Sequence, residues 1–137
     1  MVNLSRMQVL IGVERRLRER YRRKFEGATK ITTVLTGMPR ATGNHSRVEE
    51  GAVAMAEVDE TYREVFADLA EMRNELEQLL PSLEDPDDIG IMRERYIIGR
   101  RPEEIPDIVC LSRRAMFYHL SGAERKLVRM YPDKVVK

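Results

Sequence analysis

The stretch PEEIPDIVCLSRRAMFYHLSGAERKL, from Pro102 to Leu127, decides the fold. It reads as two helices joined by a tight turn. Pro102 suits a first helical position, and Glu103 and Glu104 put negative charge in the first turn, so a helix is expected from Pro102 to about Val109. Ser112 then has the character of an N-cap. From Met116 onward the apolar residues Met116, Leu120, Ala123 and Leu127 recur at three- and four-residue spacing, which lines one face of a second helix. The opposite side of its first two turns carries Arg113, Arg114, Phe117 and Tyr118.

A short helix, a three-residue turn and a longer helix with a basic and aromatic N-terminal half is the layout of a helix-turn-helix that reads DNA. Arg113 and Arg114 sit where side chains meet base edges and phosphates, and an arginine can bond two acceptors of guanine at once. Tyr118 is placed to reach a phosphate. Phe117 has two readings, contact with a thymine methyl or packing against the helix expected from Pro86 to about Ile98. Arg100 and Arg101, just before the motif, are candidates for holding phosphates. The candidate DNA-binding residues are therefore Ser112, Arg113, Arg114, Phe117 and Tyr118, with Arg100 and Arg101. The competing reading of these arginines is an ordinary solvated surface. Arg125, Lys126 and Arg129 either hold phosphates or complement the C-terminal end of their helix. His119 reads as a boundary residue, because the pattern places no Ser, Cys or carboxylate partner beside it.

The pattern Glu104-Ile105, Leu111-Ser112, Met116, Leu120, Ala123, Leu127 resembles region 4 of bacterial sigma-70-type factors, the part that reads the promoter −35 element. The fuller chain resembles a group of small phage proteins of Gram-positive bacteria, the RinA/ArpU-like late-gene regulators and their relatives. Those pair an N-terminal helical hairpin, often with a Met-Pro-Arg loop, with a C-terminal domain like sigma region 4. Here the loop is Thr36-Gly-Met-Pro-Arg-Ala-Thr42, with Met38, Pro39 and Arg40 at its centre. The resemblance implies a phage or prophage transcription regulator that binds double-stranded DNA. It leaves the hairpin two roles, homo-oligomerisation or contact with RNA polymerase. Where such proteins usually carry a small residue after the Glu-Ile pair, this chain has Pro106. Inside a helix a proline costs about 3 kcal/mol. Either the first helix of the motif is kinked, or it starts near Ile105 and is very short.

On the N-terminal side of the motif, Asp85-Pro86 supplies an N-cap and a first-position proline for a helix running to about Ile98. Ile89, Met92, Tyr96 and Ile97 are its apolar positions, and Gly99 closes it. Pro81 ends the long helix before it, expected from Arg47 to about Leu80. The seam of that helix is Val48, Ala52, Met55, Val58, Tyr62, Val65, Leu69, Met72, Leu76 and Leu79. Ser46 and Glu49 have capping-box spacing, and Thr36 to Asn44 reads as a loop. A first long helix is expected from Ser5 to about Leu35, with Met7, Leu10, Leu17, Tyr21, Ala28, Ile31 and Leu35 as its stripe. After Ser112 the last helix runs to Arg129 or Met130, Tyr131-Pro132 ends it, and the final residues are expected to fray.

Charge is distributed in blocks. Residues 1–40 carry +7, residues 41–90 carry −11 and residues 91–137 carry +5, so the net +1 conceals a basic first helix, an acidic second one and a basic C-terminal block. The simplest packing folds the acidic helix back on the basic one as an antiparallel hairpin with opposite charges flanking the seam. The basic C-terminal block is what DNA binding needs.

With 34% charged and 42% apolar residues, the chain is foldable. The single cysteine, Cys110, excludes a disulfide framework and a cysteine metal site, and it reads as a small buried residue in the turn. The apolar run Val9 to Val13 is too short for a signal peptide or a membrane span, so a cytoplasmic protein without a membrane partner is expected. No phosphate loop, zinc spacing, nucleophile elbow or carboxylate pair argues for an enzyme or a cofactor.

These readings combine into an all-α chain. Residues 1–80 form a long, coiled-coil-like antiparallel helical hairpin, and residues 85–131 form a helix-turn-helix domain like sigma region 4. The expected function is sequence-specific transcriptional regulation. Two rivals have the same parts: a DNA-packaging protein like a terminase small subunit, and a helical protein–protein adaptor.

Overall fold

A computed structural model describes residues 1–35 and 42–137, with side chains for 1–26, 60 and 62–137. The chain is mostly helical. Its elements are strand β1 (Val2–Asn3), helix α1 (Leu4–Leu35), helix α2 (Thr42–Leu79), a 3-10 turn (Leu80–Leu83), helix α3 (Pro86–Met92) continued by a π-helical turn (Arg93–Ile98), helix α4 (Ile105–Val109), helix α5 (Arg113–Met130) and strand β2 (Val135–Val136). The expected Met38-Pro39-Arg40 loop lies outside the described residues. No described helix is long and apolar enough to cross a membrane.

The chain divides into two compact units. One comprises Met1–Ile11 and Ala67–Lys137, the other Gly12–Phe66. The core of the first contains Leu4, Met7, Ile11, Leu69, Leu76, Leu80, Ile91, Met92, Tyr96, Ile105, Met116 and Leu127, all almost fully buried. In this unit the seam residues Leu69, Met72, Leu76 and Leu79 of α2 are buried, as their spacing requires. Met1 and Arg6 reach α2 through their charges. The N-terminal ammonium lies 3.2 Å from Glu75, and Arg6 lies 2.6 Å from Asp68. In the second unit Leu17 is buried and Val13 and Tyr62 are half-buried.

Local chemistry explains most boundaries. Asp85 caps α3 by accepting from the Asp87 N–H at 2.9 Å, with Pro86 in the first turn. Gly99 ends the π-helical turn at φ +86°, a left-handed backbone that glycine adopts without strain. A Cβ there would stand 3.3 Å from Ile11 Cγ2 and 3.2 Å from Arg73 Nη2.

Several expectations are corrected. The helix before the turn begins at Ile105, not Pro102, and Pro106 falls in its first turn. There a backbone N–H has no intrahelical acceptor, so the proline interrupts nothing. Helix α2 begins at Thr42, so Gly43 and Asn44 are helical rather than loop, and Ser46 and Glu49 fall inside the helix instead of capping it. Ile91, absent from the expected apolar set, is fully buried, while Ile89 and Ile97 are half-buried. Cys110 is in the turn but exposed. It holds φ 57° and ψ 41°, and its N–H bonds the Pro106 carbonyl. A left-handed residue is a common way to close a helix and satisfy its last carbonyls.

The C-terminal residues do not fray. Strand β2 pairs in parallel with β1, Val2 against Val135 and Asn3 against Val136. Val2 and Val135 are fully buried, and Ser5 Oγ donates to the Lys137 carbonyl at 2.6 Å.

Candidate nucleic-acid interface

The N-terminal half of α5 is built on its cap. Ser112 has extended backbone angles, and its Oγ accepts from the Ala115 N–H at 3.1 Å. This satisfies one of the donors that every helix start leaves open. Met116, Leu120, Ala123 and Leu127 then face inward and are buried. Helix α5 packs on α3 and α4, which turns the rest of its first two turns outward.

Arg113 and Arg114 occupy the first turn, and both are exposed. No acidic residue accompanies them there. Among the described residues neither makes an ion pair. Two cations at the positive end of a helix dipole are locally unfavourable, by about 0.3–1 kcal/mol each. The arrangement breaks a local stability rule.

The aromatic residues differ in setting. Phe117 is half-buried, and the Arg113 guanidinium stands 5.7 Å from its ring centroid, so the ring is a platform for that arginine. Tyr118 is 79% exposed. Its ring meets His119 edge-on, with centroids 5.9 Å apart and planes at 83°. Tyr118 is thus a large amphipathic ring held in solvent one helical turn after Arg114.

His119 is where sequence reasoning missed a partner. Its Nδ1 lies 2.8 Å from Oδ1 of Asp88, a carboxylate 3% exposed on α3, and 3.8 Å from Oδ2 of Asp85. The other Asp88 oxygen receives Lys126 Nζ at 3.2 Å. One buried carboxylate thus holds two side chains seven residues apart on α5. Lys126 is engaged here rather than presented to a ligand. Asp85, Asp88 and His119 also place three potential metal-ligand atoms within 4.8 Å of one another. The ammonium of Lys126 already neutralises Asp88, and Asp85 is occupied with capping α3, so the cluster works as a clamp between helices.

A second buried connection fixes the C-terminal half of α5. Tyr96 donates to Oε1 of the buried Glu124 at 2.8 Å and accepts from Gln8 Nε2 at 2.9 Å. Lys137 Nζ lies 3.2 Å from Oε2 of Glu124. Burial first, and the Glu124 carboxylate second, push the Tyr96 phenol well above its ordinary range.

The two arginines preceding α4 part company. Arg100 Nε lies 2.8 Å from Glu94 Oε2, so its charge is shared. Arg101 is exposed, with no ion pair among the described residues. Ser112, Arg113, Arg114, Phe117 and Tyr118 are brought together by the start of one helix, and Arg100 and Arg101 stand on the segment leading into α4. No family model, curated protein or solved structure matches the chain.

Proposed function

We propose that this protein is a sequence-specific DNA-binding transcriptional regulator. Helices α4 and α5 act as a helix-turn-helix of the sigma-region-4 kind, and α1 and α2 act as a helical hairpin joined to it. The observation that carries the reading is the Arg113–Arg114 pair in the first turn of α5, without acidic partners and next to the exposed Tyr118. Helix α5 enters the major groove, where Arg113 and Arg114 read base edges, each good bidentate contact being worth about 1–3 kcal/mol of discrimination. Tyr118 and Arg101 hold phosphates and set the register. Asp88 ties α5 to α3, and Glu124 ties it to the π-helical turn that continues α3, so the arginines are presented on a rigid element. The mechanism is non-covalent, and affinity falls with salt as counterions are released. A phage or prophage origin, and RNA polymerase as a further partner, follow from the resemblance to late-gene regulators and belong to the same proposal.

Selection from a random duplex library tests it. The expected result is enrichment of one base pattern, and loss of that pattern with Arg113→Ala and Arg114→Ala together. A library that emerges unenriched would overturn the reading in favour of a sequence-blind or protein-binding role.

A further inference from the structure

Helix α5 carries Arg113, Arg114, Arg125, Lys126 and Arg129 against a single acidic residue, Glu124. Glu124 is buried and engaged with Tyr96 and Lys137. The exposed surface of α5 therefore bears one sign of charge along its whole length. Its cations divide by what they touch. Lys126 lies 3.2 Å from Asp88, and Arg113 stands over the Phe117 ring. Arg114, Arg125 and Arg129 are exposed and make no ion pair among the described residues. Arg125 turns only its Nε back, to the Ser121 carbonyl at 3.4 Å.

The spacing lines these residues up. At about 100° per residue, Arg114, Tyr118, Arg125 and Arg129 fall within about 60° of one another. They form one strip that runs about 22 Å along the helix at about 1.5 Å per residue. The end of the helix explains only part of it. Arg129 stands in the last turn, where a cation complements the helix dipole. That effect fades within one turn and does not extend to Arg125.

A DNA duplex accounts for both residues. The major groove is about 12 Å wide and winds round the duplex, whereas α5 is a straight rod. Arg125 and Arg129 stand about 16 and 22 Å along the axis from Arg114. A helix whose first turn meets base edges therefore carries its last two turns out to the sugar-phosphate backbone bordering the groove. That backbone offers what the strip matches, an unbroken row of negative charge.

We propose that Arg125 and Arg129 hold backbone phosphates of the DNA and supply affinity without sequence preference. Lys126, held by Asp88, takes no part. The proposal rests on the DNA reading of the first turn of α5, and its test separates the two. The full chain and its Arg125→Gln/Arg129→Gln variant are titrated with salt on a duplex selected from a random library and on a duplex of arbitrary sequence. The variant is expected to bind both duplexes more weakly, by the same factor, and to select the same base pattern. Its affinity should fall about 12-fold less than that of the wild type between about 50 and 200 mM salt, since each lost phosphate contact removes about 0.9 from the slope. Arg125→Lys/Arg129→Lys keeps the charges and should restore the wild-type slope. A wild type without base preference overturns the regulator reading, while the slopes on the arbitrary duplex still decide this one. A folded Gln variant with the wild-type slope on both duplexes would overturn the proposal. If its thermal midpoint falls as well, the two arginines serve the helix end instead. A variant that keeps the slope and loses the base pattern would also overturn it, and so would a wild type that binds no duplex at low salt.

Discussion

Asp88 on α3 and His119 on α5 meet at 2.8 Å across thirty-one residues of sequence, and the carboxylate is almost fully buried. Asp88 also receives Lys126 at 3.2 Å, so one side chain anchors α5 at two points along its length. Both anchors lie beyond the Arg113–Arg114 pair, and the first of them adjoins the exposed Tyr118. The relation ties the buried packing of α3 to the presentation of the outward face of α5.

Replacing Asp88 with Ala is expected to destabilise the fold by about 1–3 kcal/mol, since it strips partners from two donors and removes a buried acceptor. His119→Ala should cost less, because Asp88 keeps Lys126. Urea unfolding of the two variants checks the order. Equal midpoints for Asp88→Ala and wild type would show that the clamp contributes nothing.

The arginines should behave in the opposite way. Arg113→Glu with Arg114→Glu places acids at the positive end of α5, where they are favoured. The thermal midpoint is expected to equal or exceed that of the wild type. A clear fall in the midpoint would mean that the arginines hold the fold rather than a ligand.

Cys110 is exposed and holds φ 57°, a backbone region that costs a side-chain-bearing residue roughly 1–2 kcal/mol. Cys110→Gly is therefore expected to raise the urea midpoint, by an amount equivalent to about 0.5–1 kcal/mol once the extra freedom of an unfolded glycine is subtracted. An unchanged or lowered midpoint would contradict the reading of this turn as strained.

Tyr96 gives the fold an alkaline limit. Its phenol is held neutral by burial and by the Glu124 carboxylate, so its folded pKa lies above the unfolded value of about 10. The unfolded chain then loses this proton first. The stability that Tyr96 contributes is complete below about pH 10 and is lost as pH rises above it. In Tyr96→Phe the fall in stability between neutral and strongly alkaline pH is expected to be shallower than in wild type. Parallel pH profiles would rule out this role for Tyr96.

Gly99 should resist replacement. Gly99→Ala meets both a left-handed backbone and the side chains of Ile11 and Arg73 at 3.3 and 3.2 Å. A loss of more than about 1 kcal/mol is expected in urea unfolding. Wild-type stability would show that the turn relaxes without cost.

The parts of this architecture visible in the sequence are those set by short-range rules. Ser112 caps α5 and Asp85 caps α3 because a side-chain oxygen needs only a neighbouring N–H. Met116, Leu120, Ala123 and Leu127 are buried because helical spacing puts them on one face. Pro106 allows two local solutions, and the shorter helix is the one adopted. The features hidden from the sequence join residues distant in the chain. Asp88 with His119, Tyr96 with Glu124, and Val2 with Val135 depend on how helices and ends meet in space, and no spacing announces them. Cys110 departs from the burial that its residue type favours, and it closes α4 with a left-handed backbone that residue type does not announce. Within the candidate site, the cluster at the start of α5 is legible as a pattern, while the pairing of Arg100 with Glu94 and of Lys126 with Asp88 emerges only in three dimensions.

Under the proposed function, Arg113 and Arg114 read DNA. The most direct measurement is a salt-titrated binding assay on fragments of the genome that encodes this chain, comparing wild type with the Arg113→Ala/Arg114→Ala double variant. The account predicts that wild type selects particular fragments at physiological salt, and that the variant loses this selectivity while remaining folded. The affinity of the variant should also depend less steeply on salt, its slope falling by about one unit for each phosphate it no longer touches. Equal, weak and sequence-blind binding by both proteins would contradict it.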